Sequence, residues 1–419
     1  MSTDIIVIGG GAAGMMAALF AAKEGAQVLL LDKNRKLGRK LRITGKGRCN
    51  LTNNCERKEF LDNIPGDGRF LHSALAAFSP QDTMQFFEEK GLPLKTERGK
   101  RVFPQSDNAN DVADLLADIC RRSGVTIMQA EASGISVRDG CVQGVKTRDG
   151  LLECRACIIC TGGMSYPLTG STGDGYRFAK SLGHTVTEVR PSLVPLESPD
   201  PCCARLQGLT LKNVELRVFE NDTLLCREQG EMLFTHFGIS GPLVLSASAR
   251  MHRAGRARYR AEIDLKPALD EKSLDRRILR DLSMYHNKAF HNALVDLVPH
   301  ALIPELIRLC GIETEPMANE VTKDLRMRLL HALKAFPIEI SGTRPYEEAI
   351  ITAGGVRLRE LDPRSMQSRM VQGLYFAGEV LDLDAYTGGF NLQIAWSTGR
   401  LAGISAARNT PILSSGSVT

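Results

Sequence analysis

The sequence predicts an α/β protein whose main domain is assembled from both ends of the chain. Near its start, a glycine-rich turn joins a short apolar strand to a helix, and near its end another strand runs into a glycine, an acid and a helix. Between them the pattern is first β-rich and then helical. A chain of 419 residues with 43% hydrophobic and 24% charged residues is typical of a globular protein and excludes a disordered or fibrous one.

The N-terminal segment predicts a βαβ unit. Residues 4–8 form an apolar, β-branched strand pattern, residues 12–24 a helix pattern, and residues 27–31 a second strand pattern. The G-x-G-x-x-G spacing at 9–14 joins the first strand to the helix, and Asp32 follows the second strand. Strand, glycines, helix, strand and acid together predict a Rossmann-type dinucleotide site.

Each position in this unit has a physical role. Gly9 allows the tight turn, Gly11 lets the backbone approach a pyrophosphate, and Gly14 lets the helix pack on the strand. The helix N-terminus stabilises phosphate charge. Asp32 accepts hydrogen bonds from ribose hydroxyls, which argues against a 2′-phosphate there. The predicted contacts are Gly9, Gly11, Ala12, Ala13, Gly14 and Asp32.

The next segment, residues 33–58, is strongly basic, and its one acid is Glu56. Ordinary solvated charge is one interpretation. The turn-forming residues at 44–53 and the position beside a nucleotide site favour a loop that wraps a ligand. The predicted ligand contacts in this segment are Lys33, Lys40, Arg48 and Asn50.

Three later segments complete the predicted cofactor domain. Residues 134–145 predict a hairpin with its turn at 139–140, and residues 156–160 a buried strand ending in Thr-Gly-Gly. Residues 373–379 repeat the strand–glycine–acid pattern before a helix that runs to about residue 407. In two-part FAD proteins such an acid meets the ribityl chain, and the helix N-terminus faces the flavin N1/C2=O edge. The predicted contacts are Ala132, Thr161, Gly162, Gly163, Gly378, Glu379, Gly389, Asn391 and Leu392.

The predicted domain boundaries follow from these patterns. The FAD-binding domain is split into residues 1–190 and 345–409. The insertion comprises a β-rich module at 191–266 and a helical module at 267–344, and residues 410–419 form a tail.

Four motifs resemble one known family, the BaiN/RdsA-like flavoproteins, also called the YhiN family. They are GRKLRITGKGRCNLTN (38–53), CTGGMSYPLTGSTGDGY (160–176), GEMLFTHFGISGPLVL (230–245) and GLYFAGEVLDLDAYTGGFNLQIAWSTG (373–399). The resemblance implies a split FAD domain with an inserted β-barrel-like module and a helical module. It also implies NAD(P)H-dependent reduction of C=C bonds beside a carbonyl: uridine in 23S rRNA in one branch, bile-acid enones in another. Some relatives are labelled aminoacetone oxidases.

The chemistry of such a reduction requires a proton donor as well as a hydride, because the α-carbon must be protonated. Cys49 is the first candidate, since Lys46 and Arg48 are expected to lower its pKa. The alternative is a buried structural cysteine. Tyr166 and His236 are secondary candidates, each also explicable as a hydrogen-bonding or packing residue.

The substrate and partner expectations come from charge. The net charge of +5 is too small for a protein that coats nucleic acid. The basic loop at 33–58 and an arginine run in the insertion nevertheless favour RNA over a small-molecule enone or a non-catalytic flavin/RNA-binding protein. The run comprises Arg250, Arg253, Arg256, Arg258 and Arg260, followed by Arg276, Arg277 and Arg280.

The sequence also predicts how the reductant binds and where the protein is located. No second G-x-G-x-x-G follows a strand, so NAD(P)H is expected to bind transiently over the flavin, with NADH or NADPH left open. The cysteines at 154, 157 and 160 lie on a strand pattern and are not expected to bind a metal. The uncharged run at 5–22 is explained by the first strand and helix rather than a membrane span. Eleven cysteines and the lack of a signal-peptide pattern predict a reduced, cytoplasmic protein.

Overall fold

The computed structural model describes residues 3–251 and 257–410. The chain divides into two compact units. One is formed by residues up to Ser192 together with those from Tyr346 onward, and the other by Leu193–Pro345. Arg253 and Arg256 of the arginine run, and the predicted tail after residue 410, lie outside the described residues.

The segment to residue 192 contains strands β1 (Ile5–Ile8), β2 (Val28–Asp32), β3 (Thr52–Asn53), β4 (Leu94–Glu97), β5 (Arg101–Pro104), β6 (Thr126–Gln129), β7 (Ala132–Arg138), β8 (Cys141–Thr147), β9 (Gly150–Glu153), β10 (Ala156–Ile159) and β11 (Arg190–Ser192), and helices α1 (Ala12–Lys23), α2 (Arg39–Ile43), α3 (Arg57–Asp62), α4 (His72–Ala77), α5 (Pro80–Glu89), α6 (Ala109–Arg122) and α7 (Asp174–Ser181). The second unit contains strands β12 (Leu196–Glu197), β13 (Thr210–Glu220), β14 (Thr223–Thr235), β15 (Gly238–Ser240), β16 (Tyr259–Asp264), β17 (Phe336–Ile340) and β18 (Gly342–Thr343), and helices α8 (Pro201–Arg205), α9 (Pro242–Ser248), α10 (Glu271–Met284), α11 (Ile303–Leu309) and α12 (Lys323–Lys334). The last segment contains β19 (Ile351–Ala353), β20 (Leu374–Phe376) and α13 (Phe390–Asn409).

The first unit is built on a five-stranded parallel sheet in the order β20-β10-β1-β2-β6. All four residues of β1 and of β10 are buried, as expected for a parallel sheet covered on both faces. Strand β20, from the far end of the chain, pairs with β10, so both chain ends complete one sheet. This confirms the predicted α/β fold with a Rossmann-type domain split in sequence.

Helices α1 and α13 pack against each other at unusually close range. A Cβ on Gly399 would lie 2.4 Å from the Ala13 carbonyl oxygen, and one on Gly403 would lie 2.2 Å from that of Ala17. A Cβ on Gly378 would lie 2.7 Å from the Cβ of Ala13. Glycines in the C-terminal segment therefore let it dock directly on the first helix.

The basic segment at 33–58 is more ordered than the predicted loop. It contains α2, a 3₁₀ turn at Thr44–Gly47, the short strand β3 and the start of α3. Strand β3 joins β5 and β4 in a three-stranded antiparallel sheet. The segment is therefore anchored by a sheet that the sequence pattern does not reveal.

The second unit contains a seven-stranded sheet in the order β17-β16-β13-β14-β15-β12-β18. Its two outer strands are consecutive in the chain and separated by Ser341 alone, so the sheet curls back on itself in a barrel-like manner. The hairpin between β13 and β14 turns at Asn221 and Asp222, both with positive φ. Helices α10 and α12 contribute to the same hydrophobic core as this sheet. None of the helices in the described ranges is long and apolar enough to cross a membrane.

Candidate cofactor and active site

The glycine turn after β1 contains two glycines that the fold requires and a third that faces open space. Gly9 has φ +102°, and a Cβ on Gly14 would lie 1.8 Å from the Gly9 carbonyl oxygen. Both glycines are therefore required by the fold itself. A Cβ on Gly11 would meet no atom within 4 Å. Gly11 is the N-cap of α1, so the open space lies where the first helical N–H groups, including those of Ala12 and Ala13, are available to an anion.

Asp32 stands at the end of β2, where the sequence places the ribose-binding acid. Its Oδ2 accepts from the Gly10 N–H at 2.7 Å, and its Oδ1 accepts from the Asn34 N–H at 2.7 Å. Each carboxylate oxygen can accept a second hydrogen bond. The Ala130 N–H donates to the Asp32 carbonyl, which brings the approach to Ala132 beside this acid.

Lys40 and Glu379 form the centre of a polar cluster. Lys40 Nζ donates to both carboxylate oxygens of Glu379, at 2.8 and 2.6 Å, and to Ser165 Oγ at 2.6 Å. Glu379 Oε1 also accepts from Ser165 Oγ and from the Thr352 N–H, both at 2.9 Å. Glu379 Oε2 accepts only from Lys40 among the described residues, so it retains capacity for a ribityl hydroxyl.

Gly163 makes this cluster possible. A Cβ there would lie 2.5 Å from Thr352 Oγ1 and 3.1 Å from Glu379 Oε1. Thr352 Oγ1 accepts from the backbone N–H groups of Met164 and Ser165. Ser165 lies inside a recognised motif, but the three-residue strand β19 that carries Thr352 gave no sequence signal.

Lys33 is held by residues of the 160–176 motif. Its Nζ donates to Asp174 Oδ2 at 2.7 Å and to Thr172 Oγ1 at 2.6 Å. Asn34 donates to the Thr169 carbonyl at 3.1 Å. These contacts join the segment after β2 to the segment after β10, where Thr161 and Gly162 stand. Thr172 and Asp174 were not singled out from the sequence.

The N-terminus of α13 is supported by the segment before β3. In the orientation that satisfies its neighbours, the Asn50 side-chain oxygen accepts from the Gly389 N–H at 3.0 Å. Asn53 donates to the Gly388 carbonyl at 3.0 Å. The Asn391 amide bonds to both backbone groups of Ala385, so it fixes the preceding loop. Leu392 follows in the first turn, half-buried.

The expected effect of the basic loop on Cys49 is wrong. Cys49 is fully buried, with φ +60°, and burial raises the pKa of its thiol to about 12. The Arg48 guanidinium bonds instead to Glu97 and Asp107 and stacks on Phe103. Loss of hydration outweighs any effect of nearby cations, so Cys49 is no activated acid in this structure.

The two other candidate donors lie in different units. Tyr166, half-buried with φ +53°, belongs to the first unit, and burial raises the pKa of its phenol. His236 lies exposed beside Phe237 in the second unit. Their roles stay predictions.

The charge of the basic segment is partly neutralised by acids from distant segments. Lys33 pairs with Asp174, Lys40 with Glu379, Arg42 with Asp114, and Arg48 with Glu97 and Asp107. Six cations of the segment are exposed and form no ion pair within the described ranges: Arg35, Lys36, Arg39, Lys46, Arg57 and Lys58.

The arginine run does not form the free basic face that was expected. Its described members form ion pairs: Arg250 pairs with Glu228, Arg258 with Glu339, and Arg260 with Asp222 and with Glu262 of its own strand. Arg277 and Arg280 both pair with Asp281. Residues 250–260 contain no acid, but Glu228 of β14, Glu339 of β17, Asp222 of the β13–β14 turn and Glu262 of β16 supply partners for Arg250, Arg258 and Arg260.

These features together fit an FAD molecule. The open space at Gly11 suits a pyrophosphate, and Asp32 and Glu379 have acceptor capacity for hydroxyl groups. The side-chain oxygens of Thr161 and Asn53 are buried and have no hydrogen-bond partner among the described residues. Thr161 follows β10, and Asn53 lies in β3, where its amide donates to the Gly388 carbonyl before α13. Buried oxygens without a partner are suited to accept hydrogen bonds from a bound ligand.

Comparison with known proteins places the chain in a family. Residues 3–405 match the family described as HI0933-like protein Rossmann domain. The chain is 33% identical to the 3-dehydro-bile acid delta(4,6)-reductase of Clostridium scindens, over 96% of this chain and 98% of that protein. It is 32% identical to the ribosomal RNA dihydrouridine synthase of Escherichia coli, over 94% and 96% respectively.

A solved structure shows the same fold. The 3-ketosteroid Δ1-dehydrogenase of Sterolibacterium denitrificans superposes with a TM-score of 0.53 at 13% identity, covering 97% of this chain and 99% of that one. The fold, the four motifs and the family match agree, and the chain belongs to the HI0933-like family of Rossmann-fold flavoproteins.

Proposed function

We propose that this protein is an FAD-dependent oxidoreductase that uses NAD(P)H to reduce a carbonyl-conjugated C=C bond, with uridine in 23S rRNA as its substrate. The open approach at Gly11, in front of the uncapped first turn of α1, is the observation that carries FAD binding. The bound cofactor supplies the hydride chemistry, and the chain supplies orientation and electrostatics.

The residues at the site have separable tasks in this proposal. The first turn of α1 holds the pyrophosphate and Asp32 holds the ribose. The Lys40–Glu379–Ser165 cluster fixes the acid that meets the ribityl chain, because each of its members is bonded to another. The first turn of α13 would stabilise negative charge on a flavin bound in front of it.

Two observations support an RNA substrate. Two relatives of near-full length, from Escherichia coli and Haemophilus influenzae, are named ribosomal RNA dihydrouridine synthase, at 32% and 31% identity. The six exposed, unpaired cations at 35–58 are available to phosphates. The support from the insertion's arginine run is withdrawn, since its described members other than Arg276 form ion pairs.

A steroid enone is the second candidate substrate. It is favoured by the 33% identity to the bile acid reductase. Uracil and an enone share a C=C bond polarised by a carbonyl, so one site chemistry serves both, and the identity of the substrate depends on what binds beside it.

The deciding experiment is deletion of the gene in its host, followed by nucleoside mass spectrometry of 23S rRNA. The proposal expects loss of a dihydrouridine and its restoration by the wild-type gene. Restoration should fail with Gly11→Ala, whose protein should still fold. Persistence of every dihydrouridine after deletion would refute the RNA assignment, and turnover of a steroid enone by the purified protein would then establish the second candidate.

A further inference from the structure

We infer that Asp384 is the proton donor that completes C=C reduction, a role that rests on the proposed function. Asp384 lies in the loop between β20 and α13, five residues before the Gly389 cap of α13. None of the predicted cofactor contacts and none of the donor candidates from the sequence lies between Glu379 and Gly389 in this loop.

The loop is held at the N-terminus of α13. The Asn391 side chain accepts from the Ala385 N–H at 2.9 Å and donates to the Ala385 carbonyl at 2.7 Å. The residue directly after Asp384 is thus bonded to the first turn of the helix expected to face the flavin pyrimidine. Asp384 cannot move far from that helix end.

A second tether comes from the opposite side. Ser192 Oγ donates to Asp384 Oδ2 at 3.2 Å, and Ser192 pairs with Ile351 in the two-stranded sheet of β11 and β19. The next residue of β19, Thr352, donates its N–H to Glu379. Asp384 is therefore linked through bonded neighbours both to the α13 terminus and to the cluster that positions the ribityl-binding acid.

The surroundings of Asp384 hold the pKa of its carboxyl well above the usual range, so it keeps its proton to a higher pH than an exposed aspartate. Burial raises the pKa of its carboxyl to about 6, against the opposing effects of Arg190 and the Ser192 hydroxyl, while Asp382 raises it further. A general acid works best when its pKa lies near the operating pH, and the raised pKa brings this carboxyl closer to that condition. The side chain is only half-buried, so water can return the proton.

The two hydrogens that add to the double bond come from different sources. Bound FAD, reduced by NAD(P)H, would supply the hydride for the β-carbon of the substrate. The O–H bond of Asp384 breaks and a C–H bond forms at the α-carbon, which is C5 in uracil. The electron pair left by the carbonyl-conjugated double bond forms that bond, and the carboxylate regains a proton from water.

The test compares Asp384→Asn with Asp382→Asn, a matched acid in the same half-buried loop. Reduction of holoenzyme by NADPH should proceed within threefold of wild type in both. Reoxidation by a 23S rRNA fragment or a steroid enone should fall about 10²–10⁴-fold in Asp384→Asn only. In wild type that rate should decline as pH rises through about 6, and Ser192→Ala should move the midpoint upward because it removes a hydrogen bond to the carboxylate.

A readout independent of turnover is carboxyl infrared absorption of the apoprotein. A protonated carboxyl band that disappears with a midpoint near pH 6 should be missing in Asp384→Asn and present in Asp382→Asn. If Asp384→Asn keeps the reoxidation rate and the pH profile of the wild type, the inference about Asp384 is overturned and the proposed function is not. Failure of the wild type to be reoxidised by either acceptor would overturn the proposed function, and this role with it.

Discussion

Replacing Gly11 and Gly14 separately by alanine distinguishes ligand approach from packing. At Gly14 the new Cβ would lie 1.8 Å from the Gly9 carbonyl oxygen. Helix α1 cannot retreat to relieve this, because Gly399 and Gly403 hold α13 directly against its carbonyl groups. Overpacking of this kind costs about 1–3 kcal/mol, and the rigid backbone on both sides puts Gly14→Ala at the upper end, about 3 kcal/mol.

Gly11→Ala should behave in the opposite way. Its Cβ meets no protein atom within 4 Å, and the backbone φ of −82° suits alanine. Alanine is a poorer N-cap than glycine, so the apoprotein should lose less than about 1 kcal/mol. A methyl group in the path of the pyrophosphate should remove one or two charge-assisted hydrogen bonds, each worth about 1.5–3 kcal/mol, and weaken FAD binding about 10- to 100-fold or more.

The assay is thermal and denaturant unfolding of both apoproteins, followed by titration with FAD monitored by flavin fluorescence. We expect Gly11→Ala to be stable but to bind FAD weakly, and Gly14→Ala to be unstable. Wild-type FAD affinity in Gly11→Ala would refute the assignment of the open space to the pyrophosphate.

Three further predictions follow from burial and charge. Cys49→Ala should retain FAD and turn over within threefold of wild type, while losing about 1–2 kcal/mol of stability, because the thiol is buried; a large loss of turnover in a folded holoenzyme would restore its catalytic role. Because the pKa of Asp384 is raised in the folded state, the wild-type apoprotein should lose stability as pH rises from about 4 to 6. Asp384→Asn should therefore be more stable than wild type at pH 7.5, by at most about 3 kcal/mol, and equal stability would contradict this. The double variant Lys36→Ala, Lys46→Ala should lower the salt dependence of RNA binding by a slope of about 1–2, whereas Arg260→Ala, which removes an ion-paired arginine, should not; equal slopes would exclude Lys36 and Lys46 from RNA contact.

The parts of the molecule that sequence predicted correctly depend on local patterns. The β1–α1–β2 unit is encoded by strand periodicity, glycine spacing and an acid within about thirty residues, and β1 and α1 begin within one residue of the predicted position. The contribution of both chain ends to one domain was predictable because the strand patterns at 156–160 and 373–377 both run into glycine-rich turns, and the structure pairs these strands as β10 and β20.

The parts that failed depend on neighbours distant in the chain. Arg260 looked unpaired along the sequence, but β13 and its turn bring Asp222 beside it, and Glu262 lies on the same face of β16. Cys49 looked activated by adjacent cations, but its burial dominates. Charge neutralisation and desolvation are tertiary properties that a single sequence does not display.

The most direct test of the central claim is anaerobic single turnover. NADPH-reduced holoenzyme should be mixed with unmodified 23S rRNA, and both the oxidised-flavin absorption and dihydrouridine should be measured. The proposal predicts that the oxidised band returns with one dihydrouridine formed per flavin. A flavin that stays reduced with RNA and with a steroid enone, and returns to the oxidised form only with oxygen, would contradict it.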